Sequence, residues 1–195
     1  MSKERRTGIV RSAEFQTREE DGSRYIEGYF ALYNSEYWVS QNAYETIDPG
    51  AFHLERDTDV RALTNHDSTL VLGRTSSGTL QLRSDENGLW GSVLINERDQ
   101  DAVNAYERVR RGDVSQCSFG FYILDENIER RADGYTIWHL RDIELHEVSI
   151  CTFPAYKDTE VEARTAELDR MSRRELEAWR AKALARVKGE SPKEV

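Results

Sequence analysis

The chain has 195 residues, enough for one domain with a real core plus an appendage and too few for two ordinary domains. Charged residues make up 32% and hydrophobic residues 38%, so a core can form beside a solvated segment. The formal net charge of −9 argues against a surface built for DNA or anionic lipid, which needs clustered Lys and Arg, and leaves protein partners as the expectation.

Met1 to Thr7 is charged and followed by no apolar stretch, which predicts neither a signal peptide nor a membrane span and places the chain in the cytoplasm where it is made. From Gly8 to about Ala155 short β-type runs alternate with turns, the spacing of a barrel or sandwich with a mostly antiparallel sheet. Strands are expected over Ile9 to Phe15, Tyr25 to Tyr33, Val60 to Thr64, Thr79 to Arg83, Leu89 to Ile95, Val114 to Leu124, Tyr135 to Leu140 and Ile143 to Thr152. Asn87-Gly88 and Asp133-Gly134 mark turns. Between Asn34 and Phe52 a polar and aromatic stretch with little periodicity, ending in Asp48-Pro49-Gly50, predicts a functional loop or flap.

One helix is expected where Ala102, Val103, Tyr106 and Val109 recur at helical spacing, opened by Asp99 and Asp101 and stopped at Gly112. A second is expected from about Arg173 to Lys188, with Ser172 and Glu175 as capping box and Met171 and Leu176 as hydrophobic staple. Its apolar stripe is Leu176, Trp179, Ala183 and Val187, and Gly189 stands at its stop. The chain thus reads as a disordered N-terminus over residues 1–7, a β-rich domain over 8–160 and a charged helical tail over 161–195. Cys117 and Cys151 lie in strand-like runs without the paired spacing of a zinc site or disulfide framework, so both are read as reduced core residues.

The segment from Asp113 to Tyr122 carries two hydroxyls in a strand ending near a glycine. In a regular strand Ser115, Cys117, Phe119 and Phe121 face the core, while Gln116, Ser118, Gly120 and Tyr122 face away. Ser118 is therefore the serine open to a ligand, and Gly120 would let a substrate backbone come close. A serine becomes a nucleophile only with a base in reach and a third group to orient that base; otherwise it is an ordinary strand hydroxyl. Of four histidines, His66 lies just past a strand end, where a side chain can reach a cleft; the plainer reading is a turn histidine bonded to Asp67. Glu147 sits mid-strand beside Val148, Ile150 and Cys151, where a carboxylate must be paired or open to a cleft. Orienting a histidine is one explanation and a polar sheet face another, with the neighbouring His146 as the rival third member.

These residues match a known family: the chain resembles the prohead maturation serine proteases of tailed bacteriophages. The resemblance rests on Glu27-Gly-Tyr-Phe-Ala31 with Tyr33-Asn34, Asp48-Pro-Gly-Ala-Phe52, Asn65-His-Asp67 with Leu72-Gly73, Gly88-Leu89, Ser118-Phe-Gly-Phe121, and the run from Leu145 to Ala155. It implies an α+β fold, a mostly antiparallel β-barrel of the herpesvirus-protease type with flanking helices and a C-terminal helix. Residues 8–160 are then the protease domain. It implies a serine endopeptidase, acting in the host cytoplasm inside the procapsid, whose partners are the major capsid protein and a scaffold segment as substrates and itself by self-cleavage. A homo-oligomer stays open, and neither nucleic acid, membrane, metal nor cofactor is implied.

Carried over residue by residue, the family pattern makes Ser118 the nucleophile, His66 the base and Glu147 the third member. Two alternatives stay open. Val114-Ser-Gln-Cys117 also resembles the nucleophile strand of the herpesvirus enzymes when aligned on the following glycine, which keeps Ser115, and those enzymes use a second histidine, which keeps His146. The sequence does not name the oxyanion donors; backbone amides near Ser118 to Gly120 are candidates. The rival from another class is a non-catalytic capsid assembly factor that binds coat or scaffold protein through the tail helix. An esterase reading lacks the Gly-x-Ser-x-Gly elbow.

Overall fold

The computed structural model describes residues 5–10, 15–57, 59–153, 168, 170–171 and 173–182. Two compact units divide the chain, Met1–Lys157 and Asp158–Val195. In the first, the strands are β1 (Arg5–Val10), β2 (Gln16–Glu20), β3 (Ser23–Leu32), β4 (Tyr37–Ser40), β5 (Ala43–Ile47), β6 (Arg61–Thr64), β7 (Asp67–Arg74), β8 (Leu80–Ser84), β9 (Gly88–Leu94), β10 (Gln116–Arg130) and β11 (Thr136–Cys151). β1 takes in Arg5 to Thr7, which the sequence reading leaves outside the domain. The helix α1 (Gln100–Arg111) falls where expected: Asp99 accepts from the amides of Asp101 and Ala102, and Gly112 at φ 83 closes it.

Two open sheets form. One has the order β1-β10-β11-β5-β4, with β6 pairing both β11 and β7; the other has the order β2-β3-β9-β8. The expected barrel closure is not found among the described residues. β7 pairs only with β6, and the chain passes through a single 3₁₀ turn at Thr75–Ser77 into β8 of the other sheet without joining the two edges. The two sheets instead bury a common core between them. Ile26, Phe30, Leu89 and Val93 come from one sheet, and Cys117, Phe119, Phe121, Leu145, Val148 and Ile150 from the other, with Ala102, Ala105, Tyr106 and Val109 of α1 added. Phe119 stacks on Phe121 at 5.0 Å and meets Phe52 edge-on at 6.0 Å. The sheets are mostly antiparallel as expected, except that β11 takes both β5 and β6 as parallel partners.

The stretch from Asn34 to Phe52 is a correction to the sequence reading. It is largely strand: β4 buries Tyr37 and Val39 and exposes Trp38, and β5 pairs with residues 136–140 of β11. The expected strands from Tyr135 to Leu140 and from Ile143 to Thr152 are one continuous strand, β11.

Along the edge of β11 between its two parallel partners, other groups take over the backbone. The Ile143 amide donates to the Ala51 carbonyl, Arg56 donates to the Ile143 carbonyl, and the Leu145 amide donates to Asp57 Oδ2 at 2.9 Å. The Asp57 side chain is 1% exposed and is paired with Arg56 at 3.1 Å. Replacing Asp57 by Ala leaves the buried Leu145 amide without its acceptor and takes from Arg56 one of its three, the Ile143 carbonyl and Asp142 remaining. We expect a loss of about 2–3 kcal/mol, read as a lower urea midpoint at unchanged slope, with Asp57→Asn recovering part of it. A midpoint equal to wild type would show that the β11 edge does not depend on this carboxylate.

In the second unit residues 173–182 are helical, with Leu176 46% and Trp179 66% exposed. Helix is already present at 168, 170 and 171, upstream of the expected cap at Ser172. Ser172, Ala183, Val187, Gly189 and the rest of the expected helix to Lys188 lie outside the described residues. Among the described residues no helix is long and apolar enough to cross a membrane.

Candidate active site

β10 is a central strand, paired with β1 on one edge and β11 on the other. Cys117, Phe119 and Phe121 enter the core, so Ser118 and Gly120 face away from it, as strand alternation requires. Ser118 is opposite Ser149 and Gly120 opposite Glu147. Ser118 has no exposed surface. Ser115 does not share the core side of Cys117, as the sequence reading had it. The strand begins only at Gln116, and Ser115 lies exposed in the connection before it.

A bulge decides which residues of β11 join this face. Gly120 pairs with Glu147 but Phe121 pairs with Leu145, so His146 is an extra residue. Leu145 and Val148 both reach the core, and the two residues between them turn away from it. His146 and Glu147 therefore do not face opposite sides. His146 is half-buried with its ring edge-on to Tyr122 at 4.7 Å, whereas Glu147 is 2% exposed.

His66 arrives from a two-residue hairpin turn. Thr64 pairs with Asp67, and both central residues have positive φ, 53 for Asn65 and 58 for His66. Such primed turns match the strand twist but are costly for a histidine, and strain of this kind clusters at functional sites. Asn65 anchors the turn on β11: its amide donates to the Ile150 carbonyl and its Oδ1 accepts from the Thr152 amide, both at 2.9 Å. Asp67 accepts from the Thr69 amide and hydroxyl, which hold its carboxyl below the usual range. The reading of His66 as a turn histidine bonded to Asp67 has no counterpart in these bonds.

The His66 ring turns to β11 instead. Nδ1 lies 2.7 Å from Glu147 Oε1, with side-chain exposures of 7% and 3%. With Glu147 ionised, Nδ1 carries the proton and Nε2 keeps its lone pair. Nε2 is buried without a hydrogen-bond partner. The second carboxylate oxygen, Oε2, accepts from Ser149 Oγ at 2.7 Å, and Ser149 Oγ accepts from the His66 backbone amide at 3.3 Å. Ser149 lies in the quoted family run but has no signal of its own in the sequence, because its role depends on the register of three strands. Gly120 also acts differently from the sequence reading. The space beside its Cα is filled by the Glu147 side chain, and a Cβ there would run into Oε1 and stand 3.1 Å from Cγ and Cδ. His53 and His139 are held by carboxylates elsewhere, His53 by Glu55 and Asp142, His139 by Asp48 and Glu129.

Among the described residues no group of three His, Cys, Asp or Glu is placed to hold a metal ion. Cys117 and Cys151 are free and buried. Burial pushes the Cys151 thiol up to about 12, with the nearby Glu147 charge acting the same way, and burial raises Cys117 as well. We expect both to resist iodoacetamide at about pH 8 in the native protein and to react once it is unfolded; native-state alkylation of either would contradict the burial. Because the unfolded thiol ionises from about 9 upward and the folded one does not, the stability this contributes is complete below pH 9 and declines as pH rises towards 12.

A buried carboxylate–histidine pair beside a strand serine is the kind of site found in serine hydrolases. The sequence model of the caudovirus prohead serine protease family matches residues 11–174, and the chain belongs to this family of phage capsid-maturation proteases. Among solved structures it is similar to the capsid assembly protease of bacteriophage T4, at 14% identity over 77% of this chain and 98% of that one, with a TM-score of 0.47. No curated protein sequence matches it.

Proposed function

We propose that the chain is a serine endopeptidase with Ser118 as nucleophile, His66 as general base and Glu147 as the group that orients His66. The observation that carries this reading is the 2.7 Å contact between His66 Nδ1 and Glu147 Oε1 in a buried setting, with Nε2 left as a bare acceptor. A lone pair held in that way is what a serine hydroxyl needs in order to lose its proton. Nε2 takes the Ser118 proton as Oγ attacks a peptide carbonyl, and the imidazolium returns it to the leaving amine. Water then releases the acyl group by the same route. Glu147 holds the tautomer and stabilises the imidazolium. Since Ser118 is fully covered, a peptide reaches it only after the covering atoms move.

The substrates we infer are scaffold and capsid-protein segments, and the chain itself, cleaved inside the procapsid. The family supports this. A non-catalytic assembly factor would draw on the exposed Leu176 and Trp179, but it has no use for a carboxylate holding a histidine with its other nitrogen bare.

One experiment separates these readings. The protein is produced with its phage coat protein, treated with a fluorophosphonate and digested with trypsin, and the adduct is located in the peptide that runs from Gly112 to Arg130. We expect coat-protein truncation and an adduct on Ser118. An adduct on Ser115 would overturn the nucleophile assignment, and intact coat protein with no adduct would favour the assembly factor.

A further inference from the structure

We propose that Ser149 is a positioning residue that locks the backbone of the His66 turn to the Glu147 carboxylate and so sets the His66 tautomer. This rests on the reading of His66 and Glu147 as base and orienting acid. Three contacts close a ring. The His66 ring meets Glu147 Oε1 at 2.7 Å, Glu147 Oε2 accepts the Ser149 hydroxyl at 2.7 Å, and Ser149 Oγ accepts the His66 amide at 3.3 Å. Ser149 is 0% exposed. Its hydroxyl has one proton to give and lone pairs to receive, and both capacities are used inside the ring.

Each link has a separate consequence. The hydroxyl is donated to Oε2, so each carboxylate oxygen has its own donor and Oε1 is left to accept from Nδ1–H. The lone pair that receives the His66 amide gives an acceptor to a backbone group that the left-handed conformation at φ 58 has turned out of the β6–β7 ladder. Ring and backbone of His66 are thereby tied to one strand, β11, at positions two residues apart. Ser149 is also the direct cross-strand neighbour of Ser118, so the same ring sits against the proposed nucleophile without Ser149 taking part in the chemistry.

The test reads the imidazole itself. Histidine-labelled protein carrying Ser118→Ala, which removes any complication from self-cleavage, is compared with Ser118→Ala/Ser149→Ala by two-bond 1H–15N spectra. These report the tautomer whether or not the protein is active. We expect a single Nδ1–H form of His66 in the first and a mixture with Nε2–H in the second, with Ser118→Ala/Ser149→Thr restoring the single form. In the Ser118-containing protein, fluorophosphonate labelling should fall about 10- to 100-fold with Ser149→Ala, the range for a lost hydrogen bond to a charged group, and recover with Ser149→Thr. A purely structural role would lower the melting temperature and leave the tautomer unchanged. A His66 that stays entirely Nδ1–H in the Ser149→Ala background overturns the proposal. Wild-type protein that never labels while the tautomer responds to Ser149 overturns the protease reading and leaves the positioning role standing.

Discussion

Glu147→Gln is expected to slow acylation of the enzyme by about 10³- to 10⁴-fold while leaving it folded, the loss seen when the orienting carboxylate of a serine-protease triad becomes an amide. The reason lies in what surrounds the two oxygens. Ser149 donates to Oε2 and His66 Nδ1–H donates to Oε1, so both positions call for acceptors. An amide offers one acceptor and one donor. If its NH₂ faces His66, Nδ1 must become the acceptor, the proton moves to Nε2, and the ring can no longer take a proton from Ser118. If its NH₂ faces Ser149, that hydroxyl must turn and give up its bond to the carboxylate. Either way the charge that would stabilise the imidazolium is gone. Fluorophosphonate labelling and coat-protein truncation measure the effect, and labelling within tenfold of wild type would remove Glu147 from the proposed machinery.

Gly120→Ala is expected to be nearly as damaging to activity, by about 10²-fold or more, and also to cost about 1–3 kcal/mol of stability. The added methyl occupies space that the Glu147 carboxylate already fills, and neither side can yield easily. β10 is held in ladders on both edges, and Glu147 is fixed by His66 and Ser149. The carboxylate, being side chain and not backbone, is the group that gives way, and its movement breaks the contact to Nδ1. A double variant tests this cause directly. Glu147→Asp withdraws the carboxylate by one methylene, so Gly120→Ala should destabilise the Glu147→Asp protein less than it destabilises wild type, a coupling expected of residues in contact. Equal costs in the two backgrounds, or a Gly120→Ala protein that labels and melts as wild type does, would show that the close approach is not what constrains this position.

Much of the candidate site's geometry is legible in the sequence because it depends on local regularities. Strand alternation pointed to Ser118, and the setting of His66 after a short β run put it on a turn. The parts that were misread depend on partners distant in the chain. Ser115 was assigned a core-facing side because nothing local shows that β10 starts at Gln116. Locally Gly120 offers room for a substrate, but its true neighbour is 27 positions further along and is brought opposite it only by pairing. The bulge that turns both His146 and Glu147 off the core leaves no mark in residue type. β4 and β5 run over only four or five residues, too few to stand out, and become strands because β5 pairs in parallel with the distant β11 and β4 then pairs antiparallel with β5. Strand spacing fits a sandwich as well as a barrel, and the closed barrel is an expectation of the family resemblance alone.

The parallel docking of β6 on β11 bears on when activity can arise as the chain folds. β10 and β11 are consecutive and antiparallel, so their pairing closes a short loop and brings Ser118 and Glu147 together at little entropic cost. His66 lies 81 positions from Glu147 and joins only when β6 aligns on the far edge of β11. Contacts so distant in sequence form late. A chain folded only as far as the hairpin holds the proposed nucleophile and the carboxylate but has no base between them, so under the proposed mechanism it cannot cleave until β6 has paired with β11.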